Sequence, residues 1–230
     1  MKKHMASDQA SETPCTRPLV WILGDSWGTP LGLPPHMQED HDHLDGLLRQ
    51  HGHGVENFAR CAGSNRETIQ RALDHDGPHP DYIVWFHTES LRDFVPSMGY
   101  FRIREATLKH AQLNYEHFKE LLDKTGAKDV IIGGQAPVIP SLLVHSPYHI
   151  IADWRCELLD MPSMMTHSVC HTYLFEHLNC KDTPKNRLRI LEQNERILDA
   201  ERASADFPDD CHPGGVAHRE LFGRISNLMC

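Results

Sequence analysis

The stretch "PLVWILGDSWG", residues 18–28, decides the fold of this chain. Its apolar run ends at Gly24 and Asp25, a pattern typical of a strand that is buried on both faces of a sheet. A small polar turn follows and places one serine, Ser26, just beyond the strand. The stretch therefore predicts a buried strand, and it raises the question of whether other residues make Ser26 a nucleophile.

Further strand-like segments alternate with helical patterns along the chain. The strand candidates are "GVENFA" (54–59), "DYIVWFH" (81–87) and "DVIIGGQ" (129–135). Helices are predicted from near Pro35 to Gly52, from Ser64 with a capping box to Glu67, over 101–125, over 186–203 and from about Val216. This alternation predicts an α/β fold with a parallel sheet covered on both faces. No apolar run precedes "DFPDDCHP", so we expect four strands or a very short fifth.

The chain is expected to form a single domain over residues 17–230. Residues 1–16 form a predicted disordered leader, and their "HMAS" resembles residues left by a cloning vector. Residues 141–185 show little periodicity beyond some helix around 150–159. We interpret them as an insertion that serves as a lid or a substrate-binding wall.

Composition and charge exclude several classes of function. The net charge of −9 and the lack of a basic run argue against a nucleic-acid binder. No apolar run approaches the roughly 18–20 residues of a membrane helix. The leader has no apolar signal-peptide region, so a cytoplasmic location is expected, or a secreted one where a signal peptide has been removed. The seven cysteines are widely spaced and are interpreted mostly as reduced thiols.

Ser26 has candidate partners late in the chain. The segment "FPDDCHPGG" contains Asp209 and His212, whose spacing on a tight turn would let the carboxylate orient the imidazole. Asp210 competes for this orienting role, whereas Asp25 is interpreted as a structural hydrogen-bonding residue. Active sites of parallel α/β folds lie beyond the carboxyl ends of the strands. This rule places Ser26 at the same sheet edge as "AGSN" (62–65), "HTES" (87–90) and "GGQAP" (133–137).

Three motifs in this order resemble the SGNH (GDSL) hydrolase family. They are Gly24-Asp25-Ser26, then Asn57 and Gly63 in "NFARCAGSN", then Asp209-x-x-His212-Pro213. The resemblance covers about residues 18–225. It implies a flavodoxin-like, three-layer α/β/α sandwich with a parallel sheet of four to five strands. It also implies a serine esterase that works without a metal or a cofactor.

The resemblance implies a role for each matching residue. Ser26 would be the nucleophile, His212 the general base and Asp209 its orienter. The backbone N–H groups of Ser26 and Gly63 would stabilise the oxyanion.

The family usually has one more motif, Gly-x-Asn-Asp after the third strand, which comes third in the family's own order. This third family motif is absent here, and "HTES" stands in its place. Asn65 is the preferred substitute donor, with equal weight on a helix-capping role. Thr88 and Ser90 are weaker candidates for the same role.

The resemblance suggests short-acyl or O-acetyl ester substrates, including those on carbohydrates. The acidic chain favours neutral esters. Trp27, which replaces the usual aliphatic residue, is a substrate-binding candidate together with Glu89 and Trp154. Packing is the alternative role for Trp154.

Two other classes of function remain as alternatives. The missing third motif favours a non-catalytic binding module with the same fold. A zinc-stapled interaction protein is the other alternative, because soft and imidazole ligands gather in the insertion. These ligands are Cys156, Cys170, His171, His177 and Cys180.

Overall fold

A computed structural model gives the architecture of the chain. It describes residues 17–29, 42–88, 103–134, 138, 149–151, 153–160, 183–207 and 212–229. The strands are β1 (Leu19–Leu23), β2 (Gly54–Asn57), β3 (Tyr82–His87), β4 (Lys128–Gly133) and β5 (His149–Ile151). The helices in the described residues are α1 (Leu44–Gln50), α2 (Asn65–Leu73), α3 (Ile103–Thr125), α4 (Trp154–Leu158), α5 (Pro184–Ala203) and α6 (Gly215–Ser226).

The five strands form one sheet in the order β2-β1-β3-β4-β5. Every neighbouring pair is parallel. This is the flavodoxin-like order, in which the strand order reverses between β1 and β3 and leaves a crevice beyond their carboxyl ends. The α/β fold that the sequence predicts is therefore confirmed, and Ser26 follows β1 at that crevice.

Alternate residues of the strands build two separate cores. Ile22, Val84 and Ile132 pack on one face, where α1 and α6 cover the sheet. Leu23, Trp85 and Ile131 point to the other face, where α2 and α3 cover it. Since the side chains of a strand point alternately to opposite faces, each buried strand needs apolar residues at nearly every position. The result is the three-layer sandwich.

The short fifth strand lies inside the segment that the sequence analysis interprets as an insertion. His149–Ile151 pairs with β4 and completes the sheet edge, and α4 follows it directly. Residues 149–151 are therefore part of the sheet. The sequence analysis expects any fifth strand just before "DFPDDCHP", but residues 204–207 form no strand and β5 lies earlier in the chain.

Candidate active site

The turn after β1 is shaped by Asp25. The Trp27 N–H donates to Asp25 Oδ1 (3.0 Å), and the Gly28 N–H donates to the Asp25 carbonyl (3.0 Å). An aspartate that bonds the backbone two residues ahead favours a tight turn over continuation of the strand. Asp25 thus has the structural role predicted for it, and Ser26 lies at the turn with 6% of its surface exposed.

Asn57, at the end of β2, fastens this turn to the neighbouring strand. Its Nδ2 donates to the Gly28 carbonyl (2.9 Å), while its Oδ1 accepts the Ala59 N–H (3.0 Å). The Phe58 N–H also donates to the Ile22 carbonyl (2.8 Å). The chain beyond β2 is therefore held against both sides of the Ser26 turn.

Gly63 lies in a turn that packs on the end of β1. The Gly63 N–H donates to the Arg60 carbonyl (2.9 Å), which closes the turn, and Ala62 has a positive φ of 57°. A Cβ on Gly63 would lie 2.9 Å from the Arg60 carbonyl oxygen and 3.1 Å from the Gly24 carbonyl oxygen. The glycine is therefore needed for the close approach, and its amide already donates a hydrogen bond within the turn.

The capping role considered for Asn65 belongs to its neighbour. Ser64 is the N-cap of α2, and its Oγ accepts the Glu67 N–H (3.2 Å). The Asn65 side chain is completely buried; its Nδ2 donates to the Thr88 carbonyl (2.7 Å). Its Oδ1 accepts the Thr88 N–H (3.0 Å) and the Trp85 indole N–H (3.1 Å). The structure thus shows a bridge from α2 to the end of β3.

His212 reaches the same sheet edge from the opposite end of the chain. Its Nε2 lies 2.9 Å from Ser26 Oγ, although 186 positions separate the two residues. The Gly214 N–H donates to the Asp206 carbonyl (2.6 Å). This hydrogen bond joins the chain on the two sides of His212 just before α6 begins. A neutral imidazole at this distance can accept the serine proton.

The other predicted site residues are only partly described. Asp209 and Asp210 lie outside the described residues, as do Glu89 and Ser90. Thr88 is fully buried, and its backbone N–H and carbonyl are both bonded to the Asn65 amide.

The two candidate substrate tryptophans lie in the core next to the site. Trp27 is 2% exposed and Trp154 is 1% exposed, and their rings meet edge to face at 5.8 Å. The geometry favours packing over the predicted substrate contact for both side chains. Trp27 thereby packs the turn after β1 against α4.

Phe207 lies next to the candidate site and was not among the residues predicted from the sequence. Its ring lies 5.9 Å from that of Trp27, and it belongs to the segment that leads to His212. The signal in the sequence is a single large apolar residue in the polar stretch "DFPDDCHP". The helix before Phe207 is held by a buried ion pair, in which Arg155 makes a bidentate salt bridge to Glu201 at 2.6 and 2.7 Å. The end of α5 is thereby attached to α4.

Most of the candidate zinc ligands lie outside the residues that the structure describes. Cys156 is buried on α4, whereas Cys170, His171, His177 and Cys180 lie outside the described residues. Within the described ranges, no three His, Cys, Asp or Glu side chains gather as a metal site would require.

No helix in the part of the chain that the structure describes is long and apolar enough to cross a membrane.

Solved structures that resemble this chain include proteins named as esterases and one named as a lipase/acylhydrolase. No family model and no curated protein matches this chain. The esterase EstA from Pseudoalteromonas sp., inhibited by monoethylphosphonate, has a TM-score of 0.50 at 10% identity, covering 92% of this chain and 98% of its own.

Two further structures give lower scores. The SGNH-hydrolase family esterase AlinE4 has a TM-score of 0.44 at 15% identity, covering 80% and 96% of the two chains. A lipase/acylhydrolase from Enterococcus faecalis has a TM-score of 0.41 at 13% identity, covering 93% and 95%. At these identities the similarity to EstA is one of fold.

Proposed function

We propose that this protein is a serine ester hydrolase of the SGNH (GDSL) type. The observation that carries the proposal is the 2.9 Å separation of Ser26 Oγ and His212 Nε2 beyond the carboxyl end of β1. A serine hydroxyl is a poor nucleophile unless a base lies within hydrogen-bond reach. The fold likeness to the esterase EstA supports the same class of reaction.

In the proposed reaction, Ser26 Oγ attacks the ester carbonyl carbon while His212 Nε2 takes its proton. The tetrahedral intermediate then collapses, and His212 gives that proton to the leaving alcohol. Water, activated by His212 in the same way, hydrolyses the acyl-enzyme and restores Ser26. Asp209 is the proposed orienter of His212, with Asp210 as the alternative.

The proposed oxyanion donors are the backbone N–H groups of Ser26 and Gly63. The Gly63 N–H donates to the Arg60 carbonyl, so stabilising an oxyanion would require it to share or exchange that bond. In other hydrolases, loss of one such donor lowers kcat by about 10²–10³-fold.

The proposed substrates are short-acyl or O-acetyl esters, including those on carbohydrates. A net charge of −9 disfavours polyanionic substrates, which supports neutral esters. The proposal needs no metal or cofactor, since the nucleophile and the base are both protein side chains.

The direct test is hydrolysis of p-nitrophenyl acetate by the purified protein and by Ser26→Ala. We expect kcat to fall by about 10⁴-fold or more in the variant, because no other group replaces the nucleophile. A fluorophosphonate probe should label the wild type at Ser26 and leave the variant unlabelled.

The matched control is Ser226→Ala, which makes the same chemical change near the far end of α6. The Ser226 hydroxyl donates to the Gly223 carbonyl (3.2 Å). Its removal should leave kcat and labelling unchanged. Equal hydrolysis by the wild type and Ser26→Ala would refute the proposed function.

A non-catalytic binding module is the second candidate. It is favoured by "HTES" at the position of the third family motif, where the asparagine donor is missing. It is also favoured because the Gly63 N–H and the Asn65 amide already donate hydrogen bonds to Arg60 and Thr88. A wild type that neither hydrolyses the ester nor reacts with fluorophosphonate would support this candidate.

A further inference from the structure

The Asn65 side chain imitates a peptide group at the end of β3. Its amide gives one hydrogen bond to the Thr88 carbonyl and takes one from the Thr88 N–H, at 2.7 and 3.0 Å. A primary amide carries the same donor and acceptor as a backbone peptide. The pair therefore extends the hydrogen bonding of the sheet by one residue beyond the strand.

The position of this bridge follows from the path of β1. Pairing between β1 and β3 ends at Leu23 and Trp85, and the chain then turns away to form the Ser26 turn. The His87 carbonyl accepts the Gly134 N–H on the β4 side, so the backbone groups of the next residue, Thr88, point to the β1 side. Asn65 satisfies the groups that β1 no longer reaches.

The bridge also holds the turn that contains Gly63. On one side of this turn, the Arg60 N–H donates to the Gly24 carbonyl (3.3 Å). On the other side, two residues beyond Gly63, Asn65 is bonded to Thr88. The Gly63 turn is thus fixed between the ends of β1 and β3, the two strands that border the site.

We infer that Asn65 is a positioning residue for the proposed hydrolysis. By holding the Gly63 turn against the end of β3, it keeps the Gly63 amide at a fixed place relative to Ser26. The hydrogen bonds that hold the completely buried Asn65 side chain go to residues at the end of β3, namely Thr88 and Trp85, which is the basis for a positioning role. This inference rests on the proposed function.

The test variant is Asn65→Asp, which keeps the size of the side chain and its acceptor oxygen. An ionised carboxylate would present an acceptor to the Thr88 carbonyl, whereas a protonated carboxyl would again donate to it. We expect kcat for p-nitrophenyl acetate to fall by about 10–100-fold at pH 8, with KM within about twofold. The ratio of variant to wild-type kcat should rise as the pH is lowered from 8 to 5, because the introduced group becomes protonated.

The matched control is Trp85→Phe, which removes the indole N–H bond to Asn65 Oδ1 and keeps an aromatic ring in the core. Its kcat should stay within about threefold of the wild type. Urea unfolding of both variants establishes that each is folded under the assay conditions. An equal loss of kcat in Trp85→Phe would mean that the effect is general loosening, and it would overturn the inference.

A crystal structure of the fluorophosphonate adduct supplies the second readout. We expect Asn65 Nδ2 to remain on Thr88 and to lie beyond hydrogen-bond distance of the phosphonyl oxygen. A direct bond to that oxygen would make Asn65 an oxyanion donor and overturn the positioning role. Undiminished kcat in Asn65→Asp would overturn this role alone, whereas a wild type without Ser26-dependent turnover would overturn the proposed function as well.

Discussion

Gly24 has a backbone conformation that other residues rarely adopt, and it lies where two strands come together. Its φ is +131°, and a Cβ at this position would lie 2.5 Å from the Phe86 carbonyl oxygen and 2.7 Å from Phe86 Cβ. Both contacts are with Phe86 of the neighbouring strand β3, which pairs with β1 on one side and with β4 on the other. The glycine of the "GDS" motif is therefore required by the approach of β1 to β3 at the site.

We expect Gly24→Ala to lower the free energy of unfolding by about 2–4 kcal/mol, through backbone strain and overpacking. Urea denaturation followed by circular dichroism measures the change. Gly46→Ala is the matched control, since a Cβ at Gly46 on α1 meets nothing within 4 Å. It should raise the stability by about 0.5–1 kcal/mol. Equal effects of the two substitutions would contradict the proposed requirement for glycine at position 24.

At the scale of elements, an aromatic contact joins the two segments that supply Ser26 and His212. Trp27 follows Ser26, Phe207 precedes His212, and the two aromatic rings are 5.9 Å apart. Trp154 on α4 packs against Trp27 at 5.8 Å and against Phe86 of β3 at 5.9 Å. This cluster fastens the two segments to one sheet, and we expect it to maintain the serine–histidine distance.

Phe207→Leu should therefore affect both stability and catalysis. The smaller side chain should lower the free energy of unfolding by about 1–2 kcal/mol. A loosened Trp27 contact should lower kcat by about 10-fold, because small displacements of reacting groups are costly. Steady-state kinetics on p-nitrophenyl acetate and urea unfolding provide the two measurements.

Phe118→Leu is the control for this prediction. Phe118 is equally buried but belongs to the core on the opposite face of the sheet. It should lose similar stability and keep its kcat. A drop in kcat shared by both variants would show that loss of stability, and not the Trp27 contact, explains the result.

At the scale of the whole molecule, one buried tyrosine couples stability to alkaline pH. Burial raises the pKa of the Tyr115 hydroxyl on α3, and the nearby Asp129 carboxylate on β4 raises it further. The unfolded chain would release this proton near pH 10, before the folded protein does. The associated stability is therefore fully present below about pH 10 and is lost as the pH rises through the higher pKa of the folded state.

Tyr115→Phe removes this proton linkage. Between pH 8 and pH 11, the free energy of unfolding of the wild type should fall more steeply than that of the variant. Urea denaturation at each pH gives both curves, and the remaining tyrosines are common to the two proteins. Parallel curves would contradict the predicted contribution of Tyr115.

Much of the fold could be predicted from local patterns in the sequence. The continuous apolar runs of β1, β3 and β4 are visible because strands buried on both faces need apolar residues at almost every position. The Ser64 cap identified the start of α2, since its hydrogen bond to the Glu67 N–H is local. The three-residue strand β5 was not identified, because it is defined by its pairing with β4 and not by any pattern of its own.

The candidate site was predictable to a smaller extent. The chemistry of serine and histidine marked Ser26 and His212, and the sheet-edge rule placed Ser26 beyond β1. The roles of Asn65, Trp27 and Phe207 were not predictable, because each depends on contacts with residues far away in the sequence. An asparagine that caps a helix and one that bridges to a strand look the same in a sequence.

The sequence by itself determined the alternation of strands and helices, the faces that they bury and the residues able to act as nucleophile and base. These properties follow from periodicity and side-chain chemistry, which act over a few neighbouring residues. Only the tertiary structure decided that Ser26 Oγ and His212 Nε2 lie 2.9 Å apart. It alone also decided that the Asn65 side chain makes the hydrogen bonds to Thr88 that β1 no longer reaches. Such contacts depend on the strand order and on the packing of distant segments, and no local pattern encodes either.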